Sequence, residues 1–199
     1  MRKHPKISHN RQTVEHKCLS PRKGAVLGGL VVFIWQAFSW TALPFHNKTV
    51  QRFANPAPLL NALAADTEQS GVYILANDPK SQTAPSDPFI FLSYHKKGWG
   101  SMGQTMALGL LIQMVGAFFW TWILGKIPGL TSKDAALYGL FFGICVGVLG
   151  SMSNWAWWKF PAGFSLLYVL DDAVSWAIAS VVIAKRCQAS ACALPAKNV

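Results

Sequence analysis

Residues 160–184 read FPAGFSLLYVLDDAVSWAIASVVIA. This stretch is long enough to cross ~30 Å of hydrocarbon as a helix rising ~1.5 Å per residue. Its only charges are two adjacent aspartates, Asp171 and Asp172. Three more stretches match it in length and are free of charge: 24–44, 103–125 and 135–158. The Asp, Glu, Lys and Arg residues lie almost wholly between and beyond them. That spacing predicts an all-α membrane protein, a four-helix transmembrane bundle with a small helix-plus-β-ribbon extracytoplasmic loop. The lipid bilayer is then the principal partner. A nucleic-acid reading of the +10 net charge gives way to a membrane one.

The basic residues set an expected orientation. Seven fall in the tail 1–23, Lys126 and Lys133 in the linker 126–134, and Lys185, Arg186 and Lys197 in the tail 185–199. The opposite side carries Lys48, Arg52, Lys80, Lys96, Lys97 and Lys159. The positive-inside rule puts both termini in the cytoplasm. Trp40, Trp99, Trp155, Trp157 and Trp158 fall at the ends expected to face outward, where an indole ring is buried and its N–H stays wet. Trp120 and Trp122 fall near the inner end of the second span. The basic stretch before the first span is long and no A-x-A site follows, so an uncleaved anchor is expected. Cys18, Cys187 and Cys192 fall on the cytoplasmic side and Cys145 inside the third span, all expected as reduced thiols. The sequon Asn47-Lys48-Thr49 reads as chance.

The outer loop spans 45–102. Asn55-Pro56-Ala57-Pro58 starts a short helix over about 58–69, and Gly71 stops it. Strands follow at about 72–75 and 89–94, joined by a Pro-rich connection. So small a unit has little core of its own and should rest on the helix ends.

Asp171 and Asp172 fall near the middle of the fourth span, where a carboxylate costs ~2.5–3.5 kcal/mol on insertion scales. At 100° per residue Asp171, Ser175, Asp172 and Ser165 share a face with Tyr168 and Ala179, so that face should point into the bundle. Gln36 and Gln113 lie at matching depth in the first and second spans, and either amide can donate to a carboxylate. No Lys, Arg or His lies in any span, so the pair is expected to lack an internal cation and to share a proton. Two roles fit this cluster: a proton or cation site, or a hydrogen-bonded device that fixes packing.

In the third span Gly139, Gly143, Gly147 and Gly150 share an 80° arc, a seam for close helix contact within the chain or with a partner or second copy. Trp155, Trp157 and Trp158 with Asn154 could cage a cation, though interfacial anchoring explains them better. His46 and His95 flank the loop, but they are far apart in sequence with no other ligand type nearby, so no metal is expected. No cofactor motif is present. G-x-S-x-G, H-E-x-x-H, Walker and CxxC sequences are lacking, and adjacent aspartates on one helix point 100° apart, which suits intramembrane proteolysis poorly. No enzymatic activity is expected.

Phe33-Ile34-Trp35, Leu43-Pro44-Phe45-His46, Gly71-Val72-Tyr73-Ile74-Leu75, Phe89-Ile90-Phe91-Leu92-Ser93-Tyr94-His95 and Trp155-Ala156-Trp157-Trp158-Lys159-Phe160-Pro161 leading into Asp171-Asp172 together resemble a group of small bacterial four-span membrane proteins without an assigned activity. The resemblance covers 24–184. It implies a bacterial inner-membrane location and the same topology, and it transfers no functional residue. The expected function is an accessory or assembly subunit engaging a membrane-protein partner through the outer loop or the glycine face. The alternative is a proton- or cation-coupled transporter or channel using Asp171 and Asp172.

Overall fold

The computed structural model describes residues 20–75, 84 and 86–192, with the backbone alone for 188–192. The expectations for the tail through residue 19, the connection over 76–83, Cys18, the Cys192 side chain and the end beyond residue 192 lie outside the described residues.

Helix α1 (Pro21–Ala42) starts with Pro at its first turn, where no intrahelical N–H bond is lost, and stops before Leu43-Pro44, because a residue preceding proline avoids the helical region. A single 3-10 turn follows at His46–Lys48. Helix α2 (Ala57–Asp66) ends earlier than the expected residue 69: Thr67 is extended, and its N–H still reaches Leu63 O at 3.0 Å. Gly71 therefore opens a strand instead of closing a helix. Strands β1 (Gly71–Leu75) and β2 (Ile90–Tyr94) pair antiparallel, with Tyr73 opposite Leu92.

Helix α3 (Met102–Leu124) is capped by Ser101, whose Oγ accepts from Gln104 N. Helix α4 (Ser132–Gly147) begins three residues before the expected start, because Thr131 caps it and bonds Asp134 reciprocally. The third span is not one continuous helix. A π turn over Val148–Met152 interrupts it before α5 (Ser153–Trp158). Glycine and serine are weak helix formers, and Ser153 Oγ donates to Leu149 O across this turn. Lys159 adopts a left-handed conformation and reverses the chain into α6 (Ala162–Cys192). α6 runs on as helix to Cys192, into the stretch 185–199 expected as a tail. Cys187 is disulfide-bonded, which corrects the expectation of a reduced thiol there.

Four helical segments are long and apolar enough to cross a membrane: Pro21–Ala42, Met102–Leu124, Ser132–Trp158 and Ala162–Cys187. Their outward faces are apolar. On α3 alone Leu108, Leu111, Ile112, Val115 and Phe119 are all more than half exposed. Such a surface is compatible with a multi-pass membrane protein in contact with lipid.

Helix α1 packs along both α3 and α6, α4 packs along α6, and α3 touches α6 only locally. The glycine seam faces inward. A methyl group on Gly139 would overlap Ser180 and the Trp176 carbonyl, on Gly143 the backbone of Asp172 and Ala173, and on Gly147 the backbone of Val169. Only Gly150 of the four faces open space. Toward the end where α1 begins and α6 finishes, Val32, Ala117, Trp120, Leu124, Trp176, Ala179 and Ile183 form the apolar core. Trp120, expected near the interface, is instead 7% exposed, stacks on Phe142 at 4.2 Å and donates Nε1–H to Ser180 Oγ at 2.7 Å.

The loop unit rests on the bundle through β2. Phe91 stacks on Trp158 at 4.4 Å and meets Phe160 edge-on. Helix α2 buries no residue. Val72, Ile74 and Ile90 of the ribbon remain largely exposed.

Candidate functional site

The polar cluster lies at the loop end of the bundle. Asp171 is the tenth residue of α6 and meets Ser39, three residues before the end of α1. The carboxylate pair is thus level with the last two turns of α1, from Gln36 to Ser39.

The residue that completes the cluster is His46. The Pro44 turn brings it back over the end of α1, where it is 1% exposed. Its ring stacks on Trp40, with centroids 4.3 Å apart, and leans against Phe45. His46 Nε2 lies 2.9 Å from Ser39 Oγ and 3.0 Å from Asp171 Oδ2, while Ser39 Oγ donates to Asp171 Oδ1 at 2.7 Å. With the Ser39 hydroxyl donating to Asp171, its oxygen accepts from His46 in the tautomer that carries a hydrogen on Nε2. That hydrogen serves Ser39, leaving Asp171 Oδ2 buried with no aligned hydrogen bond although the imidazole is at ion-pair distance. The expectation weighed only groups inside the spans, and an imidazole reaches Asp171 from outside them.

The second aspartate is held differently. Gln36 Nε2 donates to Asp172 Oδ1 at 3.2 Å, and Gln113 Nε2 donates to Gln36 Oε1 at 2.8 Å. Of the two amides expected at the carboxylates, only Gln36 reaches one directly. Gln113 orients Gln36 and stands one bond away. Ser175 is buried but bonds the Asp172 carbonyl of its own helix at 3.1 Å, so it supports the helix backbone and not the carboxylate. Tyr168 contributes its ring, packed against Trp40 and Phe164. Ser165, on the same face, is buried with its Oγ unbonded.

A cavity of about 300 Å³ adjoins this cluster between α1, α3 and α6. It exists because α3 meets α6 through Ala117, Trp120 and Leu124 near the opposite end, while the loop-end half of α3 stands off. Gln36, Gln113, Asp171, Tyr168 and Trp40 all line it.

Ser39, His46 and Asp171 are the residue types of a nucleophilic triad, but the arrangement differs in kind. In a hydrolase relay the acid and the hydroxyl meet opposite nitrogens of the imidazole. Here both meet Nε2, and the serine proton points at the acid instead of at a base. Among the described residues no group of three or more potential ligands gathers for a metal, and His95 plays no part in the cluster.

Ser39 and His46 escaped the sequence reading. Ser39 looked like an ordinary small residue of a span, and His46 fell beyond the span's end. The available signal was Pro44, which forces a reversal and places a histidine seven positions after a serine back on the same helix end. Comparison of the chain with family models, with curated proteins and with solved structures gives no match.

Proposed function

We propose that the chain is a non-enzymatic, multi-pass integral membrane protein whose Asp171/Asp172 cluster handles a proton or a cation. The observation that carries this reading is the imbalance at the cluster. Asp171 faces the imidazole, Asp172 beside it is met by the Gln36 amide, and Asp171 Oδ2 is buried without an aligned hydrogen bond in a residue that lines a cavity. A device built only for packing would satisfy both oxygens, since an unsatisfied buried acceptor costs about 1–3 kcal/mol. Asp172→Asn keeps the Gln36 acceptor oxygen and should leave the folded bundle intact while abolishing proton-linked flux in reconstituted vesicles. Unaltered flux rejects the role. Under a packing role the same change is mild and Asp172→Leu lowers the melting temperature in detergent.

A second reading, an accessory or assembly subunit, has its own support. The exposed Val72, Ile74 and Ile90 and the unburied α2 offer a partner an apolar surface. The glycine face supports it less, because α6 already fills the seam at Gly139, Gly143 and Gly147. Co-purification from native membranes tests it: recovery of the chain alone counts against a subunit.

The resemblance noted above supports a bacterial inner-membrane location, and the basic flanks support cytoplasmic termini. The disulfide at Cys187 pulls the other way, since disulfides are rare in reducing compartments. A reporter fused after Arg186 separates the two: activity on the periplasmic side overturns the orientation.

A further inference from the structure

We propose that the cavity between α1, α3 and α6 is a binding site for an alkylammonium group; this rests on the cation-handling reading above and names its ligand class. The chemistry of the wall selects the ligand. Three aromatic rings, Phe33, Trp40 and Tyr168, share it with one carboxylate, Asp171, and the two amides Gln36 and Gln113. No lysine or arginine lines the cavity, so an anion finds no counter-charge there.

The acid group of the wall favours a cation: Asp171 lines the cavity and no lysine or arginine does. Asp171 is 5% exposed, and its oxygen without an aligned hydrogen bond lies 3.0 Å from His46 Nε2. An inorganic ion fits poorly. A hard cation takes six or more oxygen ligands. Here Asp171 Oδ1 already accepts from Ser39 and Gln36 Oε1 from Gln113. Aromatic faces instead attract a weakly hydrated organic cation, by ~2 kcal/mol or more once desolvated. The volume, about 300 Å³, sits at the small end of the range for ligand pockets and admits a headgroup-sized cation.

The ammonium could belong to a free amine or to the headgroup of phosphatidylethanolamine. The test uses the full chain in nanodiscs of phosphatidylglycerol, titrated with tetramethylammonium chloride against sodium chloride at equal ionic strength and followed by calorimetry. Saturable binding of tetramethylammonium alone is expected. Gly109→Leu fills the cavity from α3 at a position where an added Cβ meets only Phe33 at 3.7 Å, an ordinary contact. It should weaken binding by at least about tenfold with the melting temperature retained, and Trp40→Leu should weaken it likewise. Competition by added phosphatidylethanolamine identifies a lipid headgroup, and its failure to compete identifies a free amine; both support the site. Equal responses to the two salts overturn the proposal, as does undiminished binding by a folded Gly109→Leu protein. If ammonium binding is absent while Asp172-dependent proton flux persists, the ligand class fails and the cation-handling reading stands; loss of both removes both.

Discussion

Two faces of helix α6 are held against their neighbours by opposite physics. Against α3 and α4 it packs through shape: Trp176, Ala179 and Ile183 lock into Ala117, Trp120 and Leu124, and the glycines of α4 let the two backbones nearly touch from Trp176 out to Val169. In lipid, where apolar association gains nothing from excluding water, such close packing is what holds helices together. Toward the loop, α6 meets α1 through Asp171, Asp172, Ser39, His46 and Gln36, and there the fit is incomplete, with a cavity beside it and an unbonded carboxylate oxygen within it. The first face is close-packed apart from an apolar cavity of about 290 Å³ beside Trp120 and Phe142, and the second gives up packing for a polar centre. The lesson is that the face of a single helix separates the structural part of this bundle from its candidate site: at Asp172 the α4 side is closed by Gly143 while the α1 side carries the polar centre.

That contrast can be broken from either side. The largest expected effect is at the polar end. Asp171→Ala strands His46 and Ser39 in a buried site and should destabilise by about 3–5 kcal/mol, as removal of one member of a buried pair does. A melting temperature in detergent unchanged from the parent would mean that the cluster bears no load. Next is the seam. Gly143→Leu drives a side chain into the Asp172 backbone, which no rotamer relieves, and overpacking of this kind should cost at least about 1–3 kcal/mol. Size-exclusion profile and thermal melt check it together. A smaller effect follows for Trp120→Phe, which keeps the stack on Phe142 but deletes the bond to Ser180, for about 1 kcal/mol. The smallest is Gly150→Ala. Its methyl group meets nothing, so only the propensity gain of about 0.5–1 kcal/mol is expected, and a lowered melting temperature would show that the outward end of the glycine arc is covered after all.

The aromatic residues sharpen the comparison further. Phe91 of the ribbon, Phe160, Phe164, Tyr168, Trp40 and His46 form an unbroken series of ring contacts from the loop unit to the acidic cluster. The opposite end carries a shorter series, Trp120 to Phe142 to Trp176. Phe160→Ala interrupts the series without touching the carboxylates. If the loop unit helps hold the cluster in place, this substitution should lower the melting temperature in detergent, and a parent-like melt would show the two regions to be independent.

Much of this architecture was written in local pattern. The absence of charge over four long segments decided the helices, Pro44 and Pro161 the breaks after α1 and before α6, and Gly71 through Tyr94 the ribbon. Asp171 and Asp172 announced themselves by violating that pattern, and the 100° repeat put Ser165, Asp171 and Ser175 on a buried face. Periodicity carries such information because it depends only on neighbours within a few residues. What it does not carry is the height at which two helices meet, or where a chain returns after a turn. Only the tertiary structure set Asp171 beside Ser39, moved the glycine seam against α6 of the same chain, and folded His46 back from outside the span to lie against a carboxylate 125 positions away. Those outcomes depend on packing between segments distant in sequence, and no single segment records them.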